Sequence, residues 1–242
     1  MSIPDQAPRV SIVIPARNEA LRLPRTLAAI RQAFPSEPWE FLVVIEPGED
    51  DTELAARAAA GNDPRFVIRT NPSAHGKGHA VKTGMLAANG EWVFFMDADL
   101  SVPLRFVGGF LEDSEGADVL IGSRRHPLSV IPVRQPASRE LAGRLFNRAL
   151  RLAGVTRFSD TQCGFKAFRQ GAARAIFARL RQTGFGFDVE ALALAEALGF
   201  RVRELPVEWS DSPGSKLRPL RDGISSLRDA VLAARRVRRE DY

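Results

Sequence analysis

The chain has 242 residues, 45% hydrophobic and 26% charged, with a net charge of +5. That composition is globular and ample for one large core, and it excludes disordered and fibrous classes. A single cysteine, Cys163, excludes a disulfide scaffold and a cysteine-built zinc site.

The elements follow in chain order. Val10–Pro15 is a short β-branched run ended by proline and reads as a buried strand. Asn18 reads as the N-cap of a helix with Leu21, Leu23, Leu27 and Ile30 on its apolar side. Phe41–Ile45 is the second strand and Thr52–Ala60 the second helix. Phe66–Ile68 is the third strand and Gly78–Ala88 the third helix. Trp92–Met96 is the fourth strand, and Val119–Ile121 the fifth, after a helix near Leu104–Leu111. Apolar strands separated by helices predict an α/β, mostly parallel, doubly wound sheet. Beyond residue 122 the alternation stops. A proline-rich stretch precedes a basic helix, Arg139–Leu152. A loop spans Asp160–Phe168, followed by a helix Asp188–Leu198, a strand Val202–Val207 and a last helix from Pro219. The expected organisation is one domain, 1–215, with a basic amphipathic C-terminal helical extension, 216–242.

No apolar run approaches the ~20 residues of a bilayer crossing. The N-terminal MSIPDQAPRV shows no basic region followed by an apolar one, so no leader is expected. One cysteine and no leader predict a reducing, cytoplasmic location. The positive charge is concentrated: residues 122–151 hold seven arginines against Glu140, and residues 213–242 hold eight basic against four acidic residues. Such charge suits a phosphorylated substrate or an anionic membrane, or is simply solvated on helix faces. Nucleic acid is not expected, because no nucleic-acid-binding signature accompanies it.

In doubly wound sheets ligands sit at the carboxyl ends of the strands. The first strand there delivers Pro15-Ala-Arg17-Asn-Glu19, the second Glu46-Pro47-Gly48-Glu49, the fourth Asp97-Ala98-Asp99-Leu-Ser101. Two aspartates around one residue after a buried strand suit Mg²⁺ or Mn²⁺, which take one or two carboxylates plus phosphate oxygens; the plainer role is capping ahead of Val102-Pro103. His75-Gly-Lys77-Gly-His79 opens the third helix. It is not a P-loop, since Asn71 stands at the first glycine position and Gly78 follows Lys77. His75 and His79 are expected in turn and capping roles.

The succession VSIVIPARNE, HGKGHAVKTGM, MDADLS, IGSRR, SDTQCGFKAF, GFDVEALALAEALGF and ELPVEW…GSKL resembles the family 2 glycosyltransferases of GT-A fold. Within them it is similar to the dolichyl-phosphate β-glucosyltransferase and polyprenyl-phosphate glycosyltransferase group, and the dolichyl-phosphate mannose synthases are similar at the same positions. The likeness runs from about Arg9 to Leu217. It implies nucleotide-sugar binding by Pro15, Arg17, Glu19, Glu46, Lys77, Asp97, Ala98, Asp99 and Lys216. Asp97 and Asp99 would hold the metal, and Arg124, Arg134 and Ser138 the acceptor phosphate, with Asp97, Asp99 and Arg124 as the catalytic set. Ser101 stands where mannose synthases carry a metal-assisting Gln. Glu46-Pro47 replaces the Asp-Asp pair whose first member receives a hydrogen bond from the base in relatives. UDP-glucose is the favoured donor, with GDP-mannose as the alternative.

A phosphomonoester acceptor has a second pKa of about 6 and needs no base at neutral pH, only arginines to hold it. The QxxRW signature of processive synthases is absent. The reading is a metal-dependent inverting transfer of a hexose onto polyprenyl or dolichyl phosphate. A hydroxyl acceptor would instead call for a base, with Asp160, Asp188 and Glu190 as candidates. A silent nucleotide-sugar binder is the remaining alternative. Leu217, Leu220, Ile224, Leu227, Val231 and Ala234 form a stripe on the last helix. It either lies on an anionic membrane surface, making the protein peripheral at the inner face, or packs on its own domain or a partner.

Overall fold

The structure, a computed structural model, describes residues 9–212 and 219–239; within the last helix, side chains are described from residue 228 on, 238 excepted. Lys216 and the proposed 215/216 boundary lie outside the described residues.

The elements run β1 (Val10–Ala16), α1 (Leu23–Ala33), β2 (Glu40–Ile45), α2 (Thr52–Ala60), β3 (Phe66–Thr70), α3 (Lys77–Ala87), β4 (Trp92–Met96) and α4 (Phe106–Glu112). There follow β5 (Val119–Ser123), α5 (Ala137–Leu152), β6 (Phe165–Arg169), α6 (Gln170–Arg179), α7 (Phe187–Ala197), β7 (Val202–Pro206) and α8 (Pro219–Arg238). One seven-stranded sheet has the order β3-β2-β1-β4-β6-β5-β7. It is parallel except for β6, which runs antiparallel to both β4 and β5.

Side chains alternate across a strand, so each apolar strand feeds two cores. Ile12, Ile14, Phe41, Val43, Phe94 and Met96 pack under Leu23, Leu27 and Ile30 of α1. Val13, Leu42, Val44, Val93 and Phe95 face the other way, onto Ala80, Val81 and Met85 of α3 and onto α6 and α7. Both faces are covered, as a doubly wound sheet requires.

Three expectations change. The Asp160–Phe168 loop ends in a strand, β6, slotted between β4 and β5. Asn18 does not cap α1: it has φ 55, and its Oδ1 accepts the N–H of Glu49 at 2.7 Å, while the helix starts at Leu23 with Pro24 in its first turn. Leu21, expected on the apolar side, is 91% exposed. Of the C-terminal stripe, Leu217, Leu220, Ile224 and Leu227 lie outside the described side chains, and only Val231 and Ala234 are described. Ala230 and Ala234 of α8 are buried against Leu150 of α5, Val155 and Val189 of α7, and Val237 enters the core beneath the sheet. Among the described residues no helix is long and apolar enough to cross a membrane.

Candidate active site

The carboxyl ends of β4 and β5, the start of α3 and one side of α5 enclose an open cavity of about 730 Å³. It is lined by Lys77, Asp97, Asp99, Arg124, Arg134 and Asp188, with Arg125 beside Arg124 and with Arg139, Arg144, Arg148 and Arg151 extending the wall along α5. Of the residues singled out in the sequence, these first six are brought together. Pro15, Arg17, Glu19, Glu46, Ala98, Ser138, Asp160 and Glu190 do not line the cavity. Lys216 lies outside the described residues.

Asp97 and Asp99 follow directly from the end of β4. Lys77 Nζ stands 2.6 Å from Asp97 Oδ1. Burial opposes the Lys77 charge, but Asp97, Asp188 and Asp99 outweigh it and raise its pKa. Asp99 is pushed up, first by burial and then by the charge of Asp97, although the N–H of Ser101 donates to its Oδ1 at 2.9 Å. Two carboxylates crowded at a cavity wall are relieved by a cation. Among the described residues no third His, Cys, Asp or Glu completes a metal-holding cluster. Asp97 and Asp99 therefore suit an ion that takes its remaining ligands from phosphate and water, as Mg²⁺ and Mn²⁺ do.

Gly164 explains part of the SDTQCGFKAF segment. Its carbonyl accepts the N–H of Asp97 at 3.1 Å, and a Cβ there would lie 2.1 Å from Asp97 Oδ2. Only a residue without a side chain lets this backbone press against the first aspartate.

Arg124 is held by a buried carboxylate. Its Nε donates to Asp160 Oδ2 at 2.7 Å and its Nη2 to Oδ1 at 2.8 Å, while its own N–H reaches Oδ2 at 3.0 Å. The guanidinium also stacks 5.3 Å from the Trp209 ring centre. Asp160 is fully buried, and despite that burial Arg124 drives its pKa well below the ordinary range. Both Asp160 oxygens accept from Arg124 and orient it, which counts against the base role considered for a hydroxyl acceptor. That pairing uses two of the five guanidinium N–H groups and leaves the others directed elsewhere.

Asp188 Oδ1 accepts from Lys166 Nζ at 2.6 Å, and the same ammonium donates to the Cys163 carbonyl at 2.6 Å. Lys166 is fully buried, 5.1 Å from the Phe95 ring centre. Burial raises the Asp188 carboxyl in spite of Lys166 and Lys77. Glu190 is buried as well, and its Oε2 accepts the N–H groups of Arg181 and Gln182 at 3.0 and 2.7 Å.

Glu46 is buried beneath the loop that starts α3. Its Oε2 accepts from the N–H groups of His75 and Gly76, at 2.5 and 3.1 Å. Its Oε1 accepts from Asn71 Nδ2 at 2.6 Å and lies 2.9 Å from His79 Nδ1. Against the cost of burial, these partners, His79 and Asn71 foremost, hold its carboxyl below the usual value. Both oxygens thus tie the 71–79 loop to the end of β2. Gly76, with φ 114, sits where a Cβ would meet the Thr183 carbonyl at 2.7 Å, so the glycines of this loop serve close packing on the 182–187 segment. On the first strand's side, Glu19 pairs with Arg22 at 2.6 Å and its N–H donates to Thr52 Oγ1 at 2.8 Å.

Sequence reasoning assigned no role to Gly164, Lys166 or Trp209, and took the arginines of α5 only as part of the basic 122–151 segment. The one local signal was a lysine inside the apolar run Phe165-Lys-Ala-Phe168.

The fold is the α/β GT-A arrangement of nucleotide-sugar transferases. The family model for glycosyl transferase family 2 matches residues 11–177, and the chain belongs to that family. Among similar proteins, the dolichyl-phosphate beta-glucosyltransferase of Drosophila melanogaster is 32% identical, over 92% of this chain and 73% of that protein. A dolichyl-phosphate beta-glucosyltransferase of Trichomonas vaginalis is 30% identical, over 86% and 66%. Glycosyltransferase AglD of Haloferax volcanii is 30% identical over 88% of this chain, which spans only 35% of AglD. Glucosyl-3-phosphoglycerate synthase of Mycobacterium tuberculosis, solved with Mn²⁺, UDP and its product, superimposes with a TM-score of 0.69 at 20% identity, covering 93% of this chain and 78% of that one.

Proposed function

We propose that the protein transfers glucose from UDP-glucose to a polyprenyl or dolichyl phosphate, with inversion, at a membrane surface. The observation that carries this reading is the cavity in which the Asp97/Asp99 pair faces an arginine wall whose first member, Arg124, is fixed by Asp160. The similar proteins named as dolichyl-phosphate beta-glucosyltransferases support the same acceptor class.

The chemistry follows from those groups. An oxygen of the acceptor phosphate attacks the anomeric carbon on the face opposite the nucleotide. The new C–O bond forms as the bond to the diphosphate breaks, and UDP departs with the electron pair. A phosphate dianion has no proton to lose in this step, so no side-chain base is required. Arg124 and Arg134 hold the acceptor in line; Arg suits this because its fork matches two phosphate oxygens. Lys77 lies beside Asp97, where it meets the donor phosphates. Mg²⁺ or Mn²⁺ held by Asp97 and Asp99 would neutralise charge developing on the leaving diphosphate. Glu46 is read as a strut for the loop under the base, in place of the base-binding aspartate of relatives.

A hydroxyl acceptor is the second reading, and one observation favours it. Asp188 lines the cavity, and burial raises its carboxyl despite Lys166 and Lys77, the direction in which a carboxylate base is tuned. The test is a transfer assay with Mg²⁺ or Mn²⁺, a panel of UDP- and GDP-sugars, and a short polyprenyl phosphate, read by mass spectrometry with Asp99→Ala as control. A glucosyl-phosphate lipid from UDP-glucose, absent with the variant, is expected. Donor hydrolysis without lipid product shifts the assignment to a hydroxyl acceptor. Nucleotide binding with no turnover would leave a silent binder.

A further inference from the structure

Val231 and Ala234, the two described residues of the last helix's stripe, pack inward. Among the described residues, a different helix carries an apolar face that nothing covers. On α5, Leu141, Leu145 and Leu152 are 58%, 58% and 80% exposed. At 3.6 residues per turn they fall within about 40° of one another. The opposite side of α5 is already occupied. Asn147 and Leu150 are buried, Leu150 packs on Ala230 and Ala234 of α8, and Asn147 Oδ1 accepts from the N–H and the hydroxyl of Thr161 at 3.1 and 3.0 Å. Rotating the leucines inward would break those contacts, so the helix is locked with its leucines outward.

The charge beside them is one-sided. Arg144, Arg148 and Arg151 flank the leucines on one edge of the same helix and also line the cavity. Leucines centred on a face bordered by arginines match the surface of a bilayer containing anionic lipid: leucines enter the acyl boundary and guanidinium groups meet the headgroups. A second copy in antiparallel two-fold contact fits less well, because the two arginine rows would then lie side by side.

We infer that the outer face of α5 rests on an anionic membrane surface, so that the arginine-walled cavity opens at the headgroup level. A bilayer as occupant rests on the polyprenyl-phosphate reading above; the placement on α5 does not. An acceptor whose chain stays in the bilayer could then present its phosphate to Arg124 and Arg134 without leaving the membrane.

The full chain is tested by sedimentation with phosphatidylcholine vesicles, with and without phosphatidylglycerol. Binding is expected only with the anionic vesicles, and it is expected to fall about tenfold or more in Leu141→Gln/Leu145→Gln/Leu152→Gln. Turnover of a water-soluble short-chain prenyl phosphate should be unchanged by that triple variant, which also reports that it is folded. A second variant needs no loss of binding. Cys163 is buried, so Leu145→Cys can be labelled selectively with an environment-sensitive dye. Its fluorescence should rise on anionic vesicles, whereas Leu54→Cys on α2, 69% exposed, should not respond. Equal vesicle binding by the wild type and the triple variant, or no binding by the wild type, overturns the inference. A dimer made monomeric by the triple variant, with vesicle binding unaltered, assigns the face to a second copy and also overturns it. Vesicle binding through α5 without turnover of the short-chain acceptor would instead count against the acceptor reading alone.

Discussion

Asp99 shows how a single carboxylate can weigh against the fold that it serves. Its pKa in the folded chain is raised above the ordinary 3.8, by burial first and by Asp97 second. The folded state therefore binds its proton more tightly than the unfolded state. The group favours folding at low pH, and that contribution is lost as pH rises through the folded value. At neutral pH the charged Asp99 is a burden. Asp99→Asn is expected to raise the thermal midpoint measured in EDTA at pH 7, to leave it nearly unchanged below pH 3.5, and to abolish transfer. A lower midpoint at pH 7 would sink this account. Asp160 is the opposite case, a carboxylate stabilised by its partner. Asp160→Asn leaves Arg124 without its buried counter-charge, which costs on the order of 3 kcal/mol. Urea unfolding should register that loss, and the kinetic defect should appear in the acceptor KM. A fall confined to kcat, at unchanged stability, would restore the base role. The sequence placed an aspartate in a distinctive motif but could not show that both its oxygens were occupied, because the partner lies 36 residues away.

At the scale of elements, legibility tracks length and covering. β1, β2 and β4 were readable as apolar runs because central strands bury both faces. β6 was not. It has five residues, includes a lysine, and is stabilised by ladders to strands on both sides. Nothing local distinguishes such a segment from a loop. What covers the two helices of the C-terminal half was hidden for a similar reason. Periodicity identified an apolar stripe on α8 but could not say what covers it. α5 and α8 meet through Leu150, Ala230 and Ala234. Leu150→Ala removes the largest apolar side chain of that contact and should cost about 2–5 kcal/mol. The loss should be visible in urea unfolding, with donor binding by calorimetry retained at low denaturant. If nucleotide binding disappears together with the α5–α8 contact, the two helices are coupled to the donor site, and α5 is more than an outer wall.

The whole molecule has its charge where the cavity is. Seven arginines in residues 122–151 face one glutamate, and most of them line the same opening. Exposed charges at such a mouth act over a Debye length, about 10 Å at 0.1 M salt and about 3 Å at 1 M. Raising salt should therefore increase the acceptor KM steeply while moving the thermal midpoint little, since the core is apolar on both faces of the sheet. A salt-independent KM would mean that only the arginines fixed by buried partners act on the acceptor.

The sequence alone determined the doubly wound sheet, and it pointed to the strand ends as the candidate site with Asp97 and Asp99 as its acidic pair. These are consequences of local periodicity and of where such sheets bind ligands. Only the tertiary structure decided that Asp160 orients Arg124, that Glu46 braces the 71–79 loop, that Gly164 must be bare beside Asp97, and that Ala230 and Ala234 of α8 pack inward on α5 while α5 turns leucines outward. Each depends on what stands opposite a residue, and that partner comes from a distant part of the chain.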